Sequence, residues 1–134
     1  MPVNKKVKYS AGSCNIGPKE IRKRYLFGAV GFIISALLLI ALFILNEPYP
    51  FFLTVIIPLF LGFIGFYQGF FKFCVVNAHA GIYDLSDVGG GKGNVKNKRF
   101  HELDLKRANI LVLYAFLSAL ILSLLAVFIA YLAV

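Results

Sequence analysis

The run YLFGAVGFIISALLLIALFIL, residues 25–45, decides the fold because it contains no charged residue. A helix needs about 20 residues to cross a hydrocarbon core about 30 Å thick, and this run is that long. Two more uncharged runs, residues 48–71 and 108–134, have the same character. Helices buried in a soluble bundle would carry polar residues at helical spacing, which these runs lack. The sequence therefore predicts an all-α membrane protein with three transmembrane helices.

The composition supports the same fold class. The chain has 134 residues, of which 60% are hydrophobic, against about 45–50% in soluble domains. One domain of this length cannot hide so much apolar surface from water. The first run is longer than the roughly 7–15 apolar residues of a signal peptide, and no small-residue cleavage site precedes residues 46–50. We therefore expect an uncleaved anchor.

The distribution of positive charge predicts the orientation of the helices. All 14 Lys and Arg residues lie before the first run or between the second and the third. Loops rich in these residues stay on the cytoplasmic side, so the N-terminus is expected in the cytoplasm and the C-terminus outside, in a multi-pass protein of the inner (cytoplasmic) membrane. The predicted segments are a basic cytoplasmic N-terminal segment (1–24), transmembrane helix 1 (25–45), an outer hairpin (46–50), transmembrane helix 2 with a cytoplasmic extension (51–80), a cytoplasmic loop (81–107) and transmembrane helix 3 (108–134).

The long loop divides into two parts. Residues 84–94 are rich in glycine and are predicted to be a flexible linker. They do not match a nucleotide-binding loop, because that pattern requires Ser or Thr after its lysine and Gly93 follows Lys92. From about Lys98 the pattern turns helical, with Phe100 and Leu103 three positions apart. It predicts a short amphipathic cytoplasmic turn at the membrane surface before the third span.

Four residues could form a metal site, and all are predicted on the cytoplasmic side: Cys14, Cys74, His79 and His101. Zinc prefers such ligands, but the close paired spacing of zinc motifs is absent. We expect no cofactor, with zinc as the alternative. A structural disulfide is not expected in a reducing compartment.

Catalysis is not expected from this chain. Ionisable residues at membrane depth mark ion paths and proton relays, and the three runs contain no Asp, Glu, His, Lys or Arg. They also contain no Ser/His/Asp set and no carboxylate pair. No catalytic residue is assigned, and the protein is predicted not to be an enzyme.

Within the runs, small residues are more informative about function than ionisable ones. In lipid, helices associate through close packing of small residues. The second run offers Gly62, Gly65 and Gly69, and the third offers Ala115, Ala119 and Ser123. We favour packing within the chain over a dedicated oligomer face, and an oligomeric pore built on the glycines is a further alternative.

The basic residues next to the runs are predicted to bind anionic headgroups or a partner protein. They are Arg22, Lys23, Arg24, Lys72, Lys98 and Arg99. Directly before the first run stands SCNIGPKEIRKR, residues 13–24. Its Gly17-Pro18 pair predicts a turn with Pro at the first helical position. Residues 13–16 are not explained by charge or capping, and we expect them to dock near the inner end of the second span. The thiols of Cys14 and Cys74 would then be close enough to crosslink.

Two blocks, CNIGPKEIRKR and FYQGFFKFCVVNAHAGIYD, resemble a group of small bacterial integral membrane proteins. That group carries Cys-Asn-Ile-Gly-Pro before one span and Phe-Cys after a later one, and the resemblance covers about thirty residues. It implies no activity. The positions that it marks are Cys14, Asn15, Gly17, Pro18, Phe73 and Cys74, whereas residues 77–79 depart from the pattern.

Taken together, these features predict a small integral subunit or an accessory or assembly protein of a larger membrane complex. It would dock through its basic cytoplasmic face and its small-residue stripes. The alternative is a thiol- or metal-handling membrane protein that uses the two cysteines and the two histidines. The expected partners are membrane lipids, including anionic ones, and other integral membrane subunits or further copies of the chain, with no nucleic acid.

Overall fold

The computed structural model describes residues 8–133. Its elements in chain order are α1 (Pro18–Ile44), a 3₁₀ helix (Tyr49–Val55), α2 (Ile56–Phe70), α3 (Val75–Ala80), β1 (Ile82–Leu85), a 3₁₀ turn (Ser86–Val88), β2 (Gly91–Asn94) and α4 (Lys98–Ala133). Within the described residues, three helical segments are long and apolar enough to cross a membrane: Pro18–Ile44, Tyr49–Phe70 and Lys98–Ala133. The prediction of three such helices is confirmed. The predictions for residues 1–7 and for Val134 lie outside the described residues.

Glycines hold α1 and α2 together at very short range. A Cβ built on Gly65 would lie 2.6 Å from the backbone nitrogen of Gly28, and one built on Gly31 would lie 2.6 Å from that of Gly62. A Cβ on Gly69 would meet the ring of Tyr25 at 2.9 Å. The structure therefore places the predicted glycine stripe of α2 in the α1–α2 interface.

The small residues of α4 lie on its buried face. Ala115, Ala119 and Ser123 are all fully buried. Ala119 packs with Val55 and Leu59 of the second span, and the Ser123 hydroxyl donates to the Ala119 carbonyl at 2.6 Å. This stripe, like the glycine stripe, is used within the chain.

Two apolar clusters show how the helices run. Leu42, Phe52 and Ala130 meet at one end, so the C-terminal ends of α1 and α4 lie together. Phe73, Ala78, Ala108 and Leu111 meet at the other end. The helices α1 and α4 therefore run in the same direction and α2 runs against them. Their outward faces expose large apolar side chains along the whole length, among them Leu26, Ile33, Leu37, Ile121, Leu125 and Phe128.

The predicted second helix, residues 51–80, is not continuous. It begins as a 3₁₀ helix, and α2 ends at Phe70 in a Schellman turn. The Phe73 amide donates to the Gln68 carbonyl at 3.0 Å and the Lys72 amide to the Gly69 carbonyl at 3.3 Å. Lys72 has the left-handed φ of 56° that this turn requires. The chain thus leaves the axis of α2 before α3 begins.

The glycine-rich stretch was predicted to be a flexible linker, and this prediction is wrong. Residues 82–85 pair with residues 91–94 as an antiparallel hairpin, with Ile82 opposite Asn94 and Leu85 opposite Gly91. Gly89 and Gly91 take positive φ, which allows the tight connection. The hairpin, residues 8–17 and the rest of residues 71–107 form one end of the molecule, here called the head.

The predicted amphipathic turn is the first part of a much longer helix. The Asn97 side chain accepts hydrogen bonds from the amides of Arg99 (2.9 Å) and Phe100 (3.2 Å), as a helix N-cap does. From there α4 continues for 36 residues, a length of about 54 Å at about 1.5 Å per residue. This exceeds a hydrocarbon core of about 30 Å. The first turns of α4 belong to the head, where Asp104 accepts a hydrogen bond from the Gly12 amide.

Candidate functional site

Asn15 fastens the N-terminal segment to the turn after α2. It is fully buried. Its side-chain amide donates to the Cys74 carbonyl at 3.0 Å, and its side-chain oxygen accepts from the Cys74 amide at 2.7 Å. One side chain thereby bonds both backbone groups of a buried residue. The Cys74 amide would otherwise be left unpaired, whereas the carbonyl also accepts from the Ala78 amide at 3.1 Å.

The next two residues add a short parallel pairing to the hairpin. The Asp84 amide donates to the Asn15 carbonyl at 3.0 Å, and the Gly17 amide donates to the Asp84 carbonyl at 3.2 Å. Ile16 between them is buried, with 1% of its surface exposed. Hydrogen bonds from the Ser86 hydroxyl and amide to the Asp84 carboxylate lower the pKa of Asp84. The docking of residues 13–16, expected from the sequence, is therefore made by backbone and buried side chains of the chain itself.

The first helix is capped by a residue from the hairpin. Gly17 is the N-cap of α1 and has no side chain to offer, while Pro18 occupies the first helical position as predicted. The Asp87 carboxylate accepts from the Lys19 amide at 2.8 Å. A Cβ on Gly17 would clash with the Asp87 carboxylate, so a side chain there would expel the cap. A carboxylate in this place also interacts favourably with the helix dipole.

Asp87→Ala should lower the free energy of unfolding by about 1 kcal/mol, the usual value of a lost N-cap. Asp87→Asn should retain part of this contribution, because asparagine also caps helices. Thermal unfolding in mild detergent measures both. Glu102→Ala removes an exposed carboxylate elsewhere in the head and should leave the midpoint unchanged, whereas equal effects of Glu102→Ala and Asp87→Ala would contradict a capping role.

A second attachment joins the N-terminal segment to α4. Asp104 is fully buried and accepts hydrogen bonds from the Tyr9 hydroxyl at 2.5 Å and the Gly12 amide at 2.7 Å. The Tyr9 ring stacks on Tyr83 with the centroids 4.9 Å apart. Burial, followed by the hydrogen bond to Asp104, raises the pKa of Tyr9. Sequence reasoning missed this pair; the available signal was a lone acid between Leu103 and Leu105.

Tyr9→Phe should weaken this attachment by about 1.5–3 kcal/mol, the range for a hydrogen bond to a charged group. Because the folded pKa of Tyr9 is raised, its contribution is fully present below the ordinary value of about 10 and is lost only above it. Tyr9→Phe should thus reduce the hydrogen-exchange protection factor of the Gly12 amide by the same ratio at every pH from 6 to 9. Tyr83→Phe keeps the stacked ring and should preserve protection. A loss that varies across that range would show that another group controls the attachment.

The four predicted metal ligands make separate contacts and do not form one cluster. Cys74 is buried and its sulfur accepts from an Arg24 guanidinium nitrogen at 3.0 Å and from the Asn77 amide at 3.4 Å. The Cys14 thiol donates to the Ile16 carbonyl at 3.6 Å. His79 is exposed at the end of α3, and a Cβ on Gly81 would lie 3.3 Å from His101 Nδ1. Within residues 8–133, no three His, Cys, Asp or Glu side chains form a group that could hold a metal ion. The crosslink between the cysteines stays a prediction.

A groove of about 630 Å³ opens beside the docked segment. It runs along α1 and is closed at the head by the N-terminal segment and the turn after α2. Its lining is mostly apolar, with two cationic residues, the thiol residue Cys14 and the hydroxyl-bearing Tyr25: Cys14, Ile16, Pro18, Ile21, Arg22, Tyr25, Leu26, Ala29 and Lys72.

The six basic residues that were predicted to bind lipid or a partner fall into three groups in the structure. Arg22 and Lys72 line the groove. Lys23 and Arg24 approach the Glu20 carboxylate, at 3.1 and 3.7 Å. Lys98 and Arg99 are exposed at the start of α4.

Comparison with protein-family models, with curated proteins and with solved structures gives no match to this chain. The resemblance to small bacterial membrane proteins stays a prediction.

Proposed function

We propose that this chain is a small integral accessory subunit or assembly protein of a larger membrane complex, and that its head makes the contact with the partner. The observation that carries the proposal is the construction of the head. Asn15 and Gly17 bond backbone groups of the same chain, and Ile16 between them is buried. They hold a folded platform at one end of three apolar helices.

A platform of this kind suits the binding of another protein. A surface that is already ordered loses less conformational entropy on association than a flexible loop. The platform also carries exposed positive charge at Lys23, Lys98 and Arg99. Such charge favours an acidic partner surface and speeds association with it. We place the partner contact on this basic face.

Two earlier alternatives have less support. The glycines that a pore would use as its oligomer face pack against α1. The thiol of Cys74, central to thiol or metal handling, is fully buried beneath its own hydrogen-bond partners. For these reasons we do not place the small-residue stripes or the cysteines in the function.

The test is purification in mild detergent after expression at native level. The chain should elute with a partner protein in fixed stoichiometry. Lys98→Glu with Arg99→Glu should release this partner, while Lys98→Arg with Arg99→Lys, which keeps both charges, should retain it. Elution of the unaltered chain alone, or a partner that survives the charge reversal, would overturn the proposal.

A further inference from the structure

The groove along α1 has the size and lining of a ligand site. Its volume of about 630 Å³ lies within the roughly 300–1,000 Å³ of small-molecule sites, which are mostly apolar with a few placed polar groups. Among its nine lining residues there is no acid to balance Arg22 and Lys72. Of the salt bridges within residues 8–133, those near the groove join Glu20 to Lys23 and Arg24, and none uses Arg22 or Lys72. The site thus combines an apolar wall with two cations that are available to an anion.

The two cations lie where the groove passes from the head to the apolar part of α1. Ile21, Tyr25 and Ala29 follow one another at intervals of four residues, so they form a stripe about 12 Å long on one side of the helix. Arg22 stands at the head end of this stripe. A ligand that places its negative group beside Arg22 and Lys72 can therefore lay an apolar chain against Tyr25, Leu26 and Ala29.

The backbone of Lys72 supports a role in binding. It occupies the left-handed position of the Schellman turn, with φ 56°, where glycine is the usual residue. A residue with a side chain is strained there, and strained positions gather at binding sites. Lys72 is one of the residues that line the groove, and a glycine at this position would supply no positive charge.

We propose that this groove binds one phospholipid with a net negative headgroup. The phosphate lies between Arg22 and Lys72, where the guanidinium can donate two parallel hydrogen bonds to it. An acyl chain follows α1 past Tyr25 toward Ala29. The proposal does not depend on the accessory role proposed above, because it concerns the apolar side of the head and needs no partner protein.

The test is native mass spectrometry of the full chain released from detergent micelles that contain phosphatidylglycerol or phosphatidylcholine. One phosphatidylglycerol should remain bound, and phosphatidylcholine should bind more weakly. Arg22→Gln and Lys72→Gly should each weaken phosphatidylglycerol about fivefold, from about 1 kcal/mol for each basic residue near anionic lipid. Ala29→Phe, which fills the groove, should displace the lipid while leaving both cations in place.

Two controls separate a site from a general effect of charge or folding. Lys98→Gln removes the same charge outside the groove and should retain the lipid. Lys72→Gly should melt no lower than the unaltered chain, because glycine suits the left-handed turn. Equal binding of the two lipids, or equal losses in Lys98→Gln and Lys72→Gly, would overturn the proposal. A groove occupied by a segment of a co-purified protein instead of a lipid would overturn it as well.

Discussion

Gly65→Leu is expected to prevent α1 and α2 from packing. A Cβ at this position would lie 2.6 Å from the Gly28 nitrogen and 2.8 Å from both the Gly28 Cα and the Arg24 carbonyl oxygen. These are backbone atoms, which no side-chain rotation can move aside. The helices must separate, and in lipid no hydrophobic force draws them back. We expect a loss of at least about 3 kcal/mol, the upper end of the cost of overpacking.

Unfolding by denaturing detergent measures this loss. Ala36→Leu makes a comparable change at an exposed position of α1 and should unfold like the unaltered chain. Gly28→Leu approaches the same interface from the other helix, where a Cβ would lie 2.8 Å from the Gly62 carbonyl oxygen, and it should resemble Gly65→Leu. Equal stability of Gly65→Leu and Ala36→Leu would contradict the close packing of α1 against α2.

Asn15→Ala should open the head. The substitution leaves the buried Cys74 amide without a partner, which costs about 1–3 kcal/mol. The Cys74 carbonyl loses one of its two donors and keeps the Ala78 amide. Asn15→Asp keeps an acceptor for the Cys74 amide but turns a carboxylate toward the Cys74 carbonyl. At neutral pH it should therefore destabilise the head at least as much as Asn15→Ala. Either change should release the N-terminal segment from the turn after α2.

The rate of alkylation of Cys74 reports this opening directly. The chain has two cysteines, so a Cys14→Ser background leaves Cys74 as the one reactive thiol. This thiol is fully buried and should react slowly in the unaltered head. Asn15→Ala should accelerate the reaction, whereas Asn94→Ala, on the exposed strand β2, should not. Identical rates in these two variants would show that Asn15 does not hold the head closed.

The helices were predictable from the sequence because their signal is local. An uncharged run such as residues 25–45 must form internal hydrogen bonds in lipid wherever the rest of the chain lies. The spacing of Gly62, Gly65 and Gly69 likewise marks one helix face without reference to a partner. Fold class and helix packing therefore follow from short stretches read alone.

The head was not predictable in the same way, because its contacts join distant residues. Asn15 meets Cys74 across 59 positions, and Tyr9 meets Asp104 across 95. The glycine-rich hairpin has little β-propensity of its own and is ordered by its pairing with Ile16. Lys72 gives no sign in sequence of a left-handed backbone, since lysine rarely adopts one.

The cap that Asp87 places on α1 has a consequence for the order of synthesis. A ribosome makes Lys19 first and Asp87 68 residues later, a delay of roughly 3–14 s at about 5–20 residues per second. Throughout that interval the first helix exists without its cap, and until Cys74 is made Asn15 lacks the turn that it will bind. The N-terminal end of α1 is thus completed only after α1, α2 and α3 have been translated.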